Sequence, residues 1–135
     1  MKRKSLHRRV FVVAALYNFA WALFSAVYPQ WLFDFAGMER LNRPEIFACL
    51  AMVVGTYGIV YAEVARRPEH GFLLAAVGLL GKVLGPVGWL NLYLTGEWPL
   101  ETIILIVTND LIWWIPFILY LRDSWPYYRK SLKRA

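Results

Sequence analysis

Phe72-Leu73-Leu74-Ala75-Ala76-Val77-Gly78-Leu79-Leu80-Gly81-Lys82-Val83-Leu84-Gly85-Pro86-Val87-Gly88-Trp89-Leu90 is the stretch that decides the fold class. It is one apolar run with a single lysine at its centre. The next apolar run, Leu100 to Leu121, carries Asp110 at its own midpoint. A lone charge at the centre of a bilayer costs about 2.5–3.5 kcal/mol on insertion scales. Two isolated charges would strain so small a chain, whereas a Lys82–Asp110 pair offsets both. Ionisable residues at membrane depth mark functional sites by default, so the pair locates a candidate site without naming its ligand.

The composition points the same way. The 135 residues are 59% hydrophobic and 17% aromatic, with a mean hydropathy of +0.44. A soluble domain is about 45–50% apolar. Val10–Tyr28, Glu45–Ala65, Gly71–Leu94 and Leu100–Leu121 are each long enough to cross roughly 30 Å of hydrocarbon at about 1.5 Å per residue. No apolar sequence remains for a separate soluble domain. Residues 1–135 therefore read as one all-α domain, an integral membrane four-helix bundle with spans near 10–28, 45–65, 71–94 and 100–121. The first run follows Lys2-Arg3-Lys4 and Arg8-Arg9, as in a signal peptide. It exceeds the ~7–15 apolar residues of such a peptide, and Tyr28-Pro29-Gln30-Trp31 is a poor cleavage site. It reads as a retained helix.

Basic residues set the expected orientation. They cluster before the first span, at Arg66-Arg67, and in the tail at Arg122, Arg129, Lys130, Lys133 and Arg134; the connection around Gly96 has only Glu97 and Glu101. The positive-inside rule then places both termini in the cytoplasm, and the expected location is a bacterial inner membrane. Arg40 and Arg43 run against the rule, partly balanced by Asp34 and Glu39. The net charge of +6 is thus spent on topology, and no nucleic-acid partner is expected. Cys49, the only cysteine, excludes an internal disulfide. With no neighbouring base or second thiol it reads as a packing residue.

The connection from Pro29 to Pro44 looks structured: Trp31, Phe35 and Met38 share one side of a short amphipathic segment, with Gln30, Asp34 and Gly37 on another. Asn42 before Pro44 and Glu45, and Trp98-Pro99 before Glu101, are helix starts. Glu63 lies three and four residues before Arg66 and Arg67. It is either a local ion-pair partner or a carboxylate at a cytoplasmic mouth.

Short connections make consecutive helices antiparallel, so residues equidistant from a turn share a depth. Asn18, Gly55 with Thr56, Lys82, and Asn109 with Asp110 fall in one such layer. The candidate ligand-binding residues are Lys82, Asp110, Asn109, Asn18, Thr56 and Trp113. Gly78, Gly81, Gly85 and Gly88 form a smooth stripe beside Lys82, and Ala15, Asn18, Ala22 and Ser25 a small-residue face on the first helix. Pro116 lacks the N–H that would bond Ile112, so a kink is expected just past the acid. Each feature also has a plainer reading: the charge pair as a register device, the asparagines as interhelical glue, Trp113 or Trp114 as lipid-facing bulk. Tyr28, Trp31, Trp98, Trp125, Tyr127 and Tyr128 look like interface-belt residues. The basic tails either hold anionic lipid or serve topology alone. No metalloprotease, phosphate-loop or nucleophile-elbow motif occurs. His7 and His70 lie far from the central layer, so neither a metal nor a cofactor is expected, and no catalytic residue is assigned.

The segments Ala15–Trp21, Gly78–Pro86 and Asn109–Phe117 resemble those of uncharacterised small bacterial four-helix membrane proteins, loosely DoxX-like, across most of Val10–Tyr120. The resemblance implies a four-helix membrane fold and little about chemistry. A weaker similarity, of architecture and of the tail Pro116–Lys130, is to the sterol-isomerase and sigma-2-receptor group. The acidic and histidine pattern of that group is not evident here. Three functional readings stay open. One is binding or transport of a small or lipophilic molecule, with a homo-oligomer supplying any path too wide for four helices. The second is a membrane-embedded enzyme using Asp110 as acid or base, its pKa set by Lys82. The third is an accessory subunit of a larger membrane complex.

Overall fold

The computed structural model describes residues 1–133; Arg134, counted above in the basic tail, lies outside the described residues. The described chain is all-helical: α1 (Lys4–Val27), α2 (Trp31–Phe35), α3 (Pro44–Arg66), α4 (Phe72–Leu94) and α5 (Leu100–Leu132). Pro44 opens α3 with Glu45 in its first turn. Pro99 precedes α5, which starts as a 3-10 turn over Leu100–Thr102. Two glycines stop helices. Gly37 at φ 64° and Gly96 at φ 74° adopt the left-handed conformation that side chains other than glycine resist. At each, the following N–H turns back: Met38 to the Phe33 carbonyl and Glu97 to the Leu92 carbonyl, both at 2.9 Å. These returns give the Phe33 and Leu92 carbonyls, near the ends of α2 and α4, their partners.

Four helices, α1, α3, α4 and α5, are long and apolar enough to cross a membrane. Their outward surfaces are oily: Leu23 is 69% exposed, Ile59 65% and Ile115 79%. Soluble monomers rarely show contiguous apolar patches above a few hundred Å², whereas lipid solvates such a surface. At 33 residues α5 is about 50 Å long, against roughly 30 Å of hydrocarbon. Its last turns, with Arg129 and Lys130, are thus more than that thickness requires.

Helix α1 lies antiparallel along α3, and α4 along α5. The α1–α3 seam is the tighter. Ala15, Asn18, Ala22 and Ser25 are all buried, and a Cβ on Gly55 would stand 2.7 Å from the Ala22 Cβ. The four-glycine stripe of α4 behaves differently. Gly78 meets the Tyr61 ring of α3, where a Cβ would fall 2.7 Å away, and Gly85 meets Asp110. Gly81 and Gly88 are exposed, with nothing within 4 Å of an added Cβ. The stripe therefore winds past two different partners and is not one helix–helix contact. Cys49 is also exposed, on the outer face of α3, so it is not the packing residue expected.

The two hairpins are locked together at the end that carries both termini. Phe11, Tyr61, Phe117 and Tyr120 form an aromatic plug, with Phe11–Phe117 at 4.6 Å, Phe11–Tyr120 at 4.7 Å and Tyr61–Phe117 at 5.2 Å between ring centroids. Asp123 receives Arg3 through two bonds of 2.7 and 2.9 Å and lies 2.8 Å from Nε2 of buried His7. Lys4 reaches Glu69 at 2.6 Å, and this hydrogen bond holds the Glu69 carboxyl below its ordinary range. Tyr120 donates to the Pro68 carbonyl at 2.8 Å. At the opposite end α2 buries Leu32 and Phe33 while Phe35 is 61% exposed. The helix ends at Phe35, so Met38 lies beyond it, and the exposed Phe35 is turned away from the bundle.

The seam and the stripe separate by mutation. Gly55→Leu overpacks a rigid contact and should cost about 1–3 kcal/mol, read as a lower melting temperature in lipid nanodiscs. Gly81→Ala meets open space and should be neutral or stabilising by up to about 1 kcal/mol.

Candidate functional site

Above the aromatic plug the hairpins diverge around a cavity of about 410 Å³. It takes Asn18 and Trp21 from α1, Leu50 and Val54 from α3, Lys82 and Gly85 from α4, and Asn109 and Asp110 from α5. Four of the six candidate residues therefore border one space: Asn18, Lys82, Asn109 and Asp110. Thr56 does not. It is exposed and bonds the Val53 carbonyl of its own helix at 2.7 Å, one step of helical rotation past buried Gly55. Trp113 lies beneath the cavity floor, buried in the plug.

The floor depends on an irregularity in α5. Val107–Leu111 is a π-helical turn, in which the Ile112 N–H bonds back to the Val107 carbonyl. Such turns widen the backbone and recur at functional sites. Two carbonyls of this turn accept side-chain donors: Thr108 from Trp113 Nε1 at 3.0 Å and Asn109 from Lys82 Nζ at 2.5 Å. The disturbance expected at Pro116 thus sits a turn earlier, and α5 is helical through Pro116 itself. Trp114 Nε1 donates to the Lys82 carbonyl at 2.9 Å, so α4 and α5 are stitched in both directions. Tyr17 reaches across from α1 to donate to Asn109 Oδ1 at 2.6 Å, and Asn18 Nδ2 bonds the Val54 carbonyl at 3.1 Å.

The expected direct ion pair is absent. Lys82 and Asp110 border the same cavity but make no N–O contact within 4.0 Å. The ammonium instead takes the backbone carbonyl one residue before the acid. It also sits 5.7–5.9 Å from the ring centroids of Tyr61, Trp113 and Phe117, where ring quadrupoles favour a cation. Asp110 lies over Gly85, whose Cβ would stand 2.6 Å from Oδ2. Among the described residues no side chain or backbone group donates a hydrogen bond to its carboxylate.

The rest of the wall is apolar. Phe33 of α2 packs behind two of the lining rings, its ring centroid 5.9 Å from Phe47 and 6.3 Å from Trp98. The α2 loop is held by Gln30, whose side chain both donates to and accepts from Leu41 backbone at 2.9 and 3.0 Å. Arg40 clamps Asp34 at 2.7 Å, and its hydrogen bonds keep the Asp34 carboxyl below the usual carboxylate range. Leu50 and Leu84 line the cavity and are 55% and 58% exposed, so the space reaches the outer surface between α3 and α4. A wider groove of about 730 Å³ lies at the termini end beside Lys2, Arg122 and Asp123. Its one carboxylate is already taken by Arg3 and His7.

Two residues of the site, Tyr17 and Trp21, went unread in the sequence, and Trp114 reads there only as bulk that lines a pocket or faces lipid. Tyrosine and tryptophan carry a polar tip that needs a partner when buried, and these three lie well inside spans instead of in an interface belt. Trp21 Nε1 is the exception to satisfaction. It is buried with no hydrogen-bond partner, at a cost of about 1–3 kcal/mol. Among the described residues no three His, Cys, Asp or Glu side chains are grouped to hold a metal. No family model, curated protein or solved structure matches this chain.

The Tyr17–Asn109 bond joins the two hairpins at the floor. Tyr17→Phe and Asn109→Leu should each cost about 0.5–1.5 kcal/mol or more. The double variant should lose less than the sum, because both remove one bond. Strict additivity in the unfolding cycle would show that the bond carries no energy.

Proposed function

We propose that the chain is an integral membrane four-helix bundle, with both termini cytoplasmic, that binds a lipophilic small molecule between its two hairpins. The observation that carries this reading is the cavity over Lys82, Asn109 and Asp110. Its walls are mostly apolar, its volume lies within the range of about 300–1,000 Å³ usual for ligand sites, and its side opening faces the surface that lipid would cover. A ligand dissolved in the bilayer could enter between Leu50 and Leu84 without crossing water. The basic N-terminus, Arg66-Arg67 turn and tail support the orientation, and the DoxX-like resemblance supports the same four-span architecture in a bacterial inner membrane. Binding serves either carriage within the membrane or delivery across it. The second would need another protomer, because one cavity with a side door is not a path.

A second reading, acid–base catalysis on a membrane-soluble substrate, draws on one specific feature. The Asp110 carboxylate borders the cavity with no protein donor attached to it, and Lys82 is close enough to share the space. A base must be free to meet the proton it removes.

Protein purified in native nanodiscs should carry small lipophilic molecules detectable by mass spectrometry. Gly88→Phe, placed where an added side chain meets open space at the cavity wall, should lose them without a lower melting temperature. Identical cargo in both proteins would sink the binding reading. In cell lipid extracts a new mass that appears only with the protein favours catalysis, whereas redistribution of existing species favours transport.

A further inference from the structure

We infer that the cavity's ligand is a neutral amphiphile whose polar end accepts a hydrogen bond from Trp21 and donates one to Asp110, as a hydroxyl- or amide-bearing lipophile does. This rests on the binding function proposed above and adds the chemistry of the ligand. The indole Nε1 of Trp21 is a donor only, is buried, and has no acceptor in the protein. Its complement is an oxygen or nitrogen lone pair. Asp110 borders the same cavity and has no donor; an ionised carboxylate accepts only, so its complement is an O–H or N–H. Hydrocarbon satisfies neither group. A ketone or ether satisfies Trp21 alone.

Charge restricts the ligand further. Lys82 and Asp110 are the ionisable groups bordering the cavity, and they are of opposite sign. A ligand of either net charge would leave one excess charge at membrane depth, which is expensive. Lys82 is already committed, since its ammonium bonds the Asn109 carbonyl and its side chain sits among rings with only 7% of the residue exposed. The polar end of the ligand therefore lies toward Trp21 and Asp110, and its apolar body toward Phe47, Leu50 and Leu84.

The test uses the full chain in phosphatidylcholine nanodiscs with indole-15N tryptophan and three probes of one length: n-decane, 2-decanone and 1-decanol. Of the seven tryptophan indole signals expected from the sequence, the one lost in Trp21→Phe is Trp21. At equal mole fraction in the bilayer, 2-decanone and 1-decanol should move the Trp21 indole proton downfield, and n-decane should not. The alcohol should bind about tenfold tighter than the ketone, as one hydrogen bond to a charged group allows. Asp110→Ala should remove that preference while the Trp21 shift persists. If n-decane binds as tightly as the polar probes and shifts Trp21 as they do, the inference fails while a lipophile-binding cavity stands. If no probe perturbs Trp21 or any other cavity signal, the inference and the binding function fail together. An alcohol preference that survives Asp110→Ala removes the acid from the site. The wild-type titration decides the Trp21 contact whether or not the Asp110 variant folds.

Discussion

The Lys82 ammonium sits in the middle of a long apolar helix, where a charge is costly unless the protein supplies it with a partner. The structure answers this with one hydrogen bond, from the Lys82 ammonium to the Asn109 carbonyl, and the surroundings follow from it. A regular α-helix has no backbone carbonyl to spare in mid-span. The π-turn at Val107–Leu111 lends two of its carbonyls to side chains, so the irregularity of α5 and the buried lysine of α4 require each other. Three aromatic rings then complete the surroundings of the cation, and those rings belong to the plug that joins the hairpins. Stability and site thus share the same residues. Asp110, packed over Gly85, borders the cavity with no hydrogen-bond donor on its carboxylate.

Much of the fold was legible because lipid imposes simple rules. Run length places four long helices, and the small-residue face of α1 packs as its spacing implies. Turn-to-turn counting brought together four residues that border one cavity: Asn18, Lys82, Asn109 and Asp110. Direction was harder. Periodicity assumes a constant 100° per residue, and the π-turn breaks that assumption where it matters most. The pair expected to meet is therefore offset, with Lys82 on a backbone oxygen and Asp110 beside it. Thr56 failed for a related reason. It shares its depth with Gly55 but is rotated to the outer face, and depth alone carries no azimuth.

The glycines of α4 show another limit. Four small residues at three- and four-residue steps suggest one helix–helix seam, yet α4 crosses α3 at Gly78 and α5 at Gly85. A stripe is a surface that permits close approach and does not name what approaches. Gly85 accommodates a carboxylate, which no packing rule would anticipate. Similarly, tryptophans and tyrosines inside a span count as apolar bulk in a tally of hydrophobic residues, whereas here Tyr17, Trp113 and Trp114 each bond a partner that fixes one helix against another or stabilises the π-turn.

The division of the molecule into a closed end and an open end bears on how it could work. At the termini end the rings of Phe11, Tyr61, Phe117 and Tyr120 interlock, and the Arg3–His7–Asp123 and Lys4–Glu69 contacts tie α1 to the C-terminal helix and the second turn. At the other end the hairpins border a cavity, and α2 packs through Phe33 on the Phe47 and Trp98 rings of its wall. Opening there costs the contacts of one short helix and its loop clamp, whereas opening at the plug would break a packed aromatic core. The α2 end and the gap between α3 and α4 are therefore the more loosely held part of the cavity's surroundings. Lys82, held by the Asn109 carbonyl and by the rings of Tyr61, Trp113 and Phe117, couples the cavity floor to the closed end, so the floor is as firmly packed as the plug beneath it.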